Sequence, residues 1–349
     1  MNQDCFKTRI LRTMTFKIVT TFISKIIKIK IIVVLLIAGS SCAQRFKDDK
    51  REFYHYKQKL YLKALKQGYG TETIEKSFAL ITYTKSHVKN DKKQFTRKRT
   101  FTQYYKNAVN NLRLGKARKN LIANQLILNK VEKEFKVPRQ YIVALWGIET
   151  GFGTRMGNFY TVNSLVNLAY DGRRKELFEN EFFSSLDIID QNGISPRKLK
   201  SSWAGAIGQC QFMPSTYLSY AVDYDGDGTE DIWETKADVF ASMANYLSKI
   251  GWNNKTPYGY ELKNNSLLQA DLDAKKGKKI KLAKLVEKYD LKQIKNRTFS
   301  EYELEQNVGV IGYDKRIFIT FDNFDVIKKW NYSNYFALTI GIFAEKIKT

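Results

Sequence analysis

"VPRQYIVALWGIETGFGTRMGN", residues 137–158, holds an acidic residue where an apolar helix should have none. Val137-Pro138 marks a boundary, and proline suits a first helical turn. The spacing predicts a helix over Arg139–Thr150, on which Ile142, Leu145, Trp146 and Glu149 share one face. That is the face an amphipathic helix buries. A carboxylate there loses hydration, so its neutral form is favoured and its pKa rises, which is what a general acid needs at working pH. Gly151 and Gly153 then end the helix and leave the space above Glu149 clear of side chains. The same residues fit equally well a helix-end glutamate that reaches water past the glycines, or one paired with Arg155.

A second stretch bears on that choice. "SSWAGAIGQCQFMPSTY" (201–217) is dense in small and amide residues. Ala204, Gly205, Ala206 and Gly208 let backbone approach a neighbour or a ligand. Ser202, Gln209 and Gln211 offer neutral hydrogen-bonding groups, which suit sugar hydroxyls and acetamido groups better than charged substrates. A tightly packed helix corner would have the same composition.

Around these two stretches the chain reads as mainly α with a small sheet. Residues 43–136 form an expected N-terminal helical region, with Leu121, Leu128, Val131 and Phe135 at helical spacing. Further helices are expected over Thr161–Tyr170, Lys175–Asn192, Pro214–Ala221 and Lys236–Ile250. After Trp252 the texture turns polar and lysine-rich, with a short helix near Leu282–Tyr289. "VGVIGYDKRIFITF" (308–321) reads as a hairpin and Tyr335–Ile347 as an amphipathic closing helix. The domain reading is a core over 137–252, completed by 253–349. A formal net charge of +24 is partly local: Lys85 to Lys136 holds fifteen Lys/Arg against three Asp/Glu. Solvated basic helix faces explain it, and attraction to a polyanion is the sharper alternative. With no zinc finger, RNP motif or basic zipper, no nucleic-acid partner is expected.

Four segments, "VPRQYIVALWGIETGFGTRMGN", "AGAIGQCQFMPSTY", "DYDGDGTEDIW" and "ANYLSKIGW", occur in this order. Together they resemble the membrane-bound lytic murein transglycosylase B family, over about Phe101 to the C-terminus. The resemblance implies a lysozyme-like core and cleavage of the β-1,4 bond between N-acetylmuramic acid and N-acetylglucosamine in peptidoglycan. The implied product is a 1,6-anhydromuramoyl end, made without water. It implies Glu149 as the single acid and then base, where most glycosidases use two carboxylates. Ser202, Gln211 and Tyr246 match positions that contact the reacting sugar, and Tyr104 matches a site tyrosine. Arg173 and Arg174 match a basic pair placed to meet stem-peptide carboxylates. Trp330, before Asn331, stands where the family usually has tyrosine, which puts one hydrogen bond near the catalytic centre in doubt. A hydrolytic muramidase, or a non-catalytic peptidoglycan-binding lipoprotein, would be the competing readings.

"DYDGDGTEDIWE" (223–234) fits an EF-hand-type loop without a gap. Asp223, Asp225, Asp227, the Thr229 carbonyl, Asp231 and Glu234 fall at the ligand positions, and Gly228 makes the turn. Six carboxylates in twelve residues with no base repel one another unless a cation sits among them. The loop is unpaired, and Glu230 stands where pairing loops carry an apolar residue. A single structural Ca2+ is therefore expected, with no organic cofactor, and Asp238 is a reserve ligand for Glu234.

The N-terminus reads as a targeting segment. Lys25, Lys28 and Lys30 precede the apolar run Ile31–Ala38, then Gly39-Ser40-Ser41 and Cys42. Residues 1–42 resemble a bacterial lipoprotein signal with lipidation at Cys42, although Gly39 stands where leucine is usual. The expectation is a monomeric, lipid-anchored protein on the outer membrane, facing the periplasm. Removal of Cys5 and lipidation of Cys42 would leave Cys210 alone, so no intrachain disulfide framework is possible.

Overall fold

The computed structural model describes residues 49–84, 99–262, 279–289, 291 and 298–348. The signal segment and Cys42 lie outside the described residues. The chain divides into two compact units, Met1–Lys63 and Ala64–Thr349. Residues 49–63 of the first are helical. The expected boundaries at 136 and 252 both fall inside the second unit.

In the second unit the helices are α1 (Thr71–Phe78), α2 (Phe101–Ala108), α3 (Asn111–Ala123), α4 (Gln125–Phe135), α5 (Arg139–Glu149), α6 (Thr161–Tyr170) and α7 (Lys175–Gln191). They continue as α8 (Pro214–Tyr220), α9 (Lys236–Lys249), α10 (Leu282–Tyr289), α11 (Glu301–Leu304), α12 (Asp322–Asn331) and α13 (Asn334–Lys348). The strands are β1 (Phe159–Tyr160), β2 (Lys200–Ser201), β3 (Gly259–Leu262), β4 (Ile280–Lys281), β5 (Asn307–Tyr313) and β6 (Arg316–Thr320). The fold is mainly α with small antiparallel sheets, as the sequence pattern predicts.

Helix α5 is the axis of the core. Tyr141 through Gly147 are all buried, so the helix is enclosed on every side rather than on one face. Helices α3, α4, α9 and α13 pack around it. Its end is abrupt: Gly151, Phe152 and Gly153 are all left-handed, with φ of +61°, +66° and +78°. Phe152 folds back against Trp146, ring centroids 5.4 Å apart.

The small sheets are peripheral. β1 pairs with β2, and a four-stranded antiparallel sheet runs β3-β6-β5-β4. Strands β5 and β6 form the expected hairpin. Asp314 and Lys315 have positive φ and Tyr313 pairs with Arg316, the mark of a tight two-residue turn. Leu262, Leu282, Leu285, Val308, Ile317, Ile319 and Phe321 form the sheet's own apolar cluster. The hairpin also holds α2. Asp314 Oδ2 accepts from the Thr102 N–H at 2.7 Å. Arg316 binds Glu261 through two nitrogens at 2.6 and 2.8 Å while facing the rings of Phe101, Tyr105 and Phe318.

The lead into β3 packs on the core through Tyr258, among other contacts. A Cβ on buried Gly341 of α13 would stand 2.2 Å from the Tyr258 ring. Gly341→Ala should therefore lower stability by about 1–3 kcal/mol, read as a fall in the urea midpoint at unchanged slope.

Candidate active site

Glu149 is the last residue of α5, and as a residue it is half-buried. Burial pushes its pKa up to about 8, and a hydrogen bond donated by the Trp330 indole N–H partly opposes that rise. No cation is among the groups that act on it, so the pairing with Arg155 does not occur. The side chain is thus open enough to be met by a ligand and enclosed enough to hold its proton near neutral pH.

Several elements close around that carboxyl. Trp330 ends α12 and packs against Phe212 and Tyr246, with ring centroids 5.3 and 4.9 Å away. The family-typical tyrosine is missing, and it is the indole of Trp330 that opposes the rise in the Glu149 pKa. Tyr246 on α9 also meets Phe212 and Tyr220, and its hydroxyl donates to the Lys329 carbonyl at 3.2 Å. Burial lifts its pKa to about 12, so it stays a neutral donor. Tyr104 on α2 is half-buried, and its pKa is raised by burial and then by the Glu149 charge, which places the two within electrostatic reach.

The glutamine segment forms the other side. Gln211 has a left-handed φ of +51°, and its Nε2 donates to the carbonyls of Gly208 and Met156 at 3.0 and 3.2 Å. Its side chain therefore spans from its own loop to the turn that follows Glu149. Ser202 Oγ accepts from the Ala206 N–H at 3.2 Å, holding the small-residue loop closed.

Gln209 differs from expectation. It is buried rather than offered to a ligand. Its Oε1 accepts from the Trp146 indole at 2.7 Å, and its Nε2 donates to the Trp233 carbonyl at 2.6 Å. A Cβ on Gly153 would lie 2.3 Å from Oε1, so the second glycine is required by this amide. Thr150 Oγ1 adds a bond to the Gln209 carbonyl at 3.2 Å.

Glu181 escaped the sequence reading. It is buried on α7 and takes the Ser215 N–H and hydroxyl at 2.9 and 2.6 Å, fixing the start of α8 directly after the glutamine segment. Its signal was a carboxylate on the apolar face of "LFENEFF" (177–183). Asn331 is exposed at the end of α12. Arg173 and Arg174 are exposed ahead of α7, with Arg174 over the Phe178 ring at 4.7 Å.

The acidic loop lies between α8 and α9. Asp223, Asp225 and Asp227 bring one carboxylate oxygen each within 4.8 Å of one another. Asp223 also accepts from the N–H groups of Gly226, Asp227 and Gly228, while Thr229 bonds to Asp227. Asp231 instead caps the N–H groups of Trp233 and Glu234, and Glu234 is exposed outside the cluster. Asp238 stands behind the loop, fully buried, accepting from the N–H groups of Tyr224 and Asp231. Burial raises its pKa, those hydrogen bonds oppose the rise, and the charges of Asp225 and Asp223 add to it. Three clustered hard oxygen donors suit a calcium ion, and the charges of Asp225 and Asp223 reach Asp238.

The sequence profile of the Transglycosylase SLT domain family matches residues 52–345. Membrane-bound lytic murein transglycosylase B of Escherichia coli (strain K12) is 39% identical over 126 residues, 36% of this chain and 35% of that protein. The chain thus spans about a third of that curated relative. SltB3 of Pseudomonas aeruginosa, solved in complex with NAG-NAM-pentapeptide, is similar with a TM-score of 0.78 and 30% identity, over 85% of this chain and 79% of that one. An Escherichia coli lytic transglycosylase solved in complex with calcium shares the fold, with a TM-score of 0.72 and 22% identity over 84% of this chain and 92% of that one. With the profile running through α5, the glutamine segment, the acidic loop and α13, this chain belongs to the Transglycosylase SLT domain family.

Proposed function

We propose that the protein is a peptidoglycan lytic transglycosylase that cleaves the β-1,4 bond between N-acetylmuramic acid and N-acetylglucosamine and leaves a 1,6-anhydromuramoyl end. The observation that carries this reading is half-buried Glu149, whose carboxyl has a pKa of about 8. A proton-bearing carboxyl can protonate the glycosidic oxygen as the bond to the anomeric carbon breaks. The carboxylate so formed takes the proton of the muramoyl 6-hydroxyl while that oxygen bonds to the anomeric carbon. The acid is thereby regenerated and no water is consumed. Burial helps the first half-step and the Trp330 N–H helps the second, because one favours the neutral form and the other the anion.

No other carboxylate is among the groups acting on Glu149, and none lies in residues 201–222, which suits a single-residue scheme. Ser202, Gln211, Tyr104 and Tyr246 are the neutral groups assigned to the sugar, with Asn331 at the rim. Arg173 and Arg174 are assigned to the stem-peptide carboxylates. Asp223, Asp225 and Asp227 would hold one structural calcium ion with the Thr229 carbonyl, Asp231 and Glu234 or Asp238, neutralising the loop and fixing α8 against α9. We also assign lipidation to Cys42, with the protein anchored to the outer membrane and facing the periplasm. No helix among the described residues is long and apolar enough to cross a membrane.

Product analysis of digested sacculi tests the reaction. Wild type should release anhydro ends, and Glu149→Gln should lower their yield by at least about 100-fold while still binding sacculi. Reducing ends would instead identify a hydrolase, and release unchanged by the substitution would remove Glu149 from catalysis. The acid's pKa gives a second test. Below about pH 4.3 both folded and unfolded carboxyls are protonated, so burial costs nothing. As pH rises towards 8 the unfolded carboxyl ionises and the folded one resists, so stability falls. Urea unfolding should show wild type losing stability relative to Glu149→Gln across that window. Activity should fall above about pH 8, and Trp330→Phe should move that limb to higher pH by removing the bond that favours the anion. For the loop, calcium at a hundredfold excess over its Kd should stabilise the fold by about 2.7 kcal/mol, and Asp225→Ala should abolish the response in a thermal melt.

A further inference from the structure

Between Asp91 and Glu132 the sequence holds eleven Lys/Arg and no Asp/Glu. Helix α3 and the start of α4 lie in that stretch, and they turn one face to the core. Ala117, Asn124 and Leu128 are buried, with Leu114 and Leu121 half-buried beside them. Those positions follow the three-and-four spacing of a single helix face, and α3 packs directly on α5. The opposite face is uncovered. Leu112 is 73% exposed, Ile122 70% and Leu126 83%. Lys116, Lys119 and Lys130 are exposed on the same face. Asn124 interrupts the helix for one residue. Its N–H still donates to the Asn120 carbonyl at 3.1 Å, and its carbonyl accepts from the Leu128 N–H at 3.0 Å, so the register carries from α3 into α4. A Cβ on Gly115, within this face, would meet nothing within 4 Å.

Exposed leucines scattered singly need no explanation, and exposed lysines are ordinarily solvated. Neither statement covers this pattern. Aliphatic side chains and lysines are interleaved along a stripe about 27 Å long, at 1.5 Å per residue. None of the three lysines has a carboxylate partner among the described residues. Elsewhere Lys175 has Glu179, Lys279 has Asp322 and Asp325, and Lys281 has Glu305. A soluble polyanion would use the lysines and leave the aliphatic groups in water. An anionic bilayer surface uses both. The aliphatic tips sink below the headgroups, the lysine stems lie along them, and the ammonium groups stay at the phosphates.

We infer that the outer face of α3 and α4, through Leu112, Lys116, Lys119, Ile122, Leu126 and Lys130, is a peripheral membrane contact that docks the folded protein on anionic phospholipid. It is distinct from the acyl anchor assigned to Cys42, and it rests on that reading only for the nearness of a bilayer. The anchor keeps the chain at the membrane, whereas this face sets how the protein lies on it. Because α3 packs on α5, docking fixes the orientation of the acid-bearing helix relative to the bilayer.

Vesicle cosedimentation tests the face without the anchor, using the full mature chain with Cys42→Ser so that no acyl group contributes. The protein should bind vesicles of phosphatidylglycerol and phosphatidylethanolamine, and bind phosphatidylcholine vesicles at least about tenfold more weakly. K116Q, K119Q and K130Q together should weaken binding to the anionic vesicles roughly 100-fold, about fivefold per lysine. L112S, I122S and L126S together should weaken it at least about tenfold. All six positions are exposed, so thermal melts of both triple variants should match wild type. A polarity-sensitive fluorophore on Ile122→Cys should shift to the blue on the same vesicles, and buried Cys210 will not compete for the label. Equal binding to phosphatidylcholine, no binding to anionic vesicles, or binding that either triple variant keeps overturns the assignment. Loss in the lysine variant alone, with soluble polyphosphate displacing the vesicles, overturns it in favour of a polyanion-binding face. The anchoring reading fails separately, through a mass spectrum of the exported protein that shows Cys42 unmodified.

Discussion

The buried amide of Gln209 is the constraint on which the site depends. One side chain joins segments distant in sequence: the Trp146 indole on α5 and the face of Gly153 just after that helix on one side, the Trp233 carbonyl at the end of the acidic loop on the other. Its backbone N–H also donates to the Ile232 carbonyl at 2.8 Å, and a Cβ on Gly208 would meet the Ile232 side chain at 2.6 Å. Both ends of the amide are satisfied inside the protein, so the cost of burying it is met and its geometry is fixed. The acidic loop therefore does more than join α8 to α9. Its last residues are hydrogen-bonded to the group that sets where the acid-bearing helix stops.

That stop governs the chemistry. A helix enclosed on all sides would ordinarily have its terminal carboxylate either deep inside or fully solvated. Three left-handed residues in succession turn the chain away within one residue of Thr150, and Phe152 is spent on covering Trp146. Glu149 is left half-buried at the helix end, with Trp330 and Tyr104 from other elements acting on it or felt by it. Desolvation then raises its pKa without any neighbouring carboxylate, the mechanism that suits a single-residue acid and base. Trp330 sets the limit to that rise, and because its ring is wedged between Phe212 and Tyr246 the position of its donor is determined by packing.

Much of this was legible in the sequence. The interval of apolar residues around Glu149, the glycines after it and the regular acidic loop pointed to a buried carboxyl at a helix end, the turn that follows it and the cluster of aspartates. Helices α6 and α10 were read to the residue, because periodic apolar spacing is a local signal. What could not be read depends on partners far along the chain. Nothing near Gln209 distinguishes an amide aimed at a sugar from one aimed at an indole 63 residues away. Strand β3 has only four residues and exists because β6 offers it an edge. Helix α12 went unread in a stretch of mixed polarity, although it brings Trp330 and Asn331 to the site. Glu181 was hidden for the same reason, since its partner Ser215 lies 34 positions on.

The two walls of the cleft are secured by different physics. The glutamine side is held by buried, fully paired groups: Gln209, Glu181 under Ser215, and Cys210 against the Val239 carbonyl at 3.5 Å. The Tyr104 side rests on α2, whose start is fixed by exposed bonds, from Asp314 to the Thr102 N–H and within the Thr100–Gln103 capping box. Exposed hydrogen bonds exchange with water at little cost, whereas buried ones must be broken into an environment that offers no substitute. The α2 side is thus held by exposed bonds together with the buried aromatic cluster of Phe101 with Tyr313, Phe318 and Tyr335. For the glycan strand proposed as substrate, the buried bonds on the glutamine side keep Glu149 in place, and the start of the Tyr104-bearing helix is the part whose bonds can exchange with water.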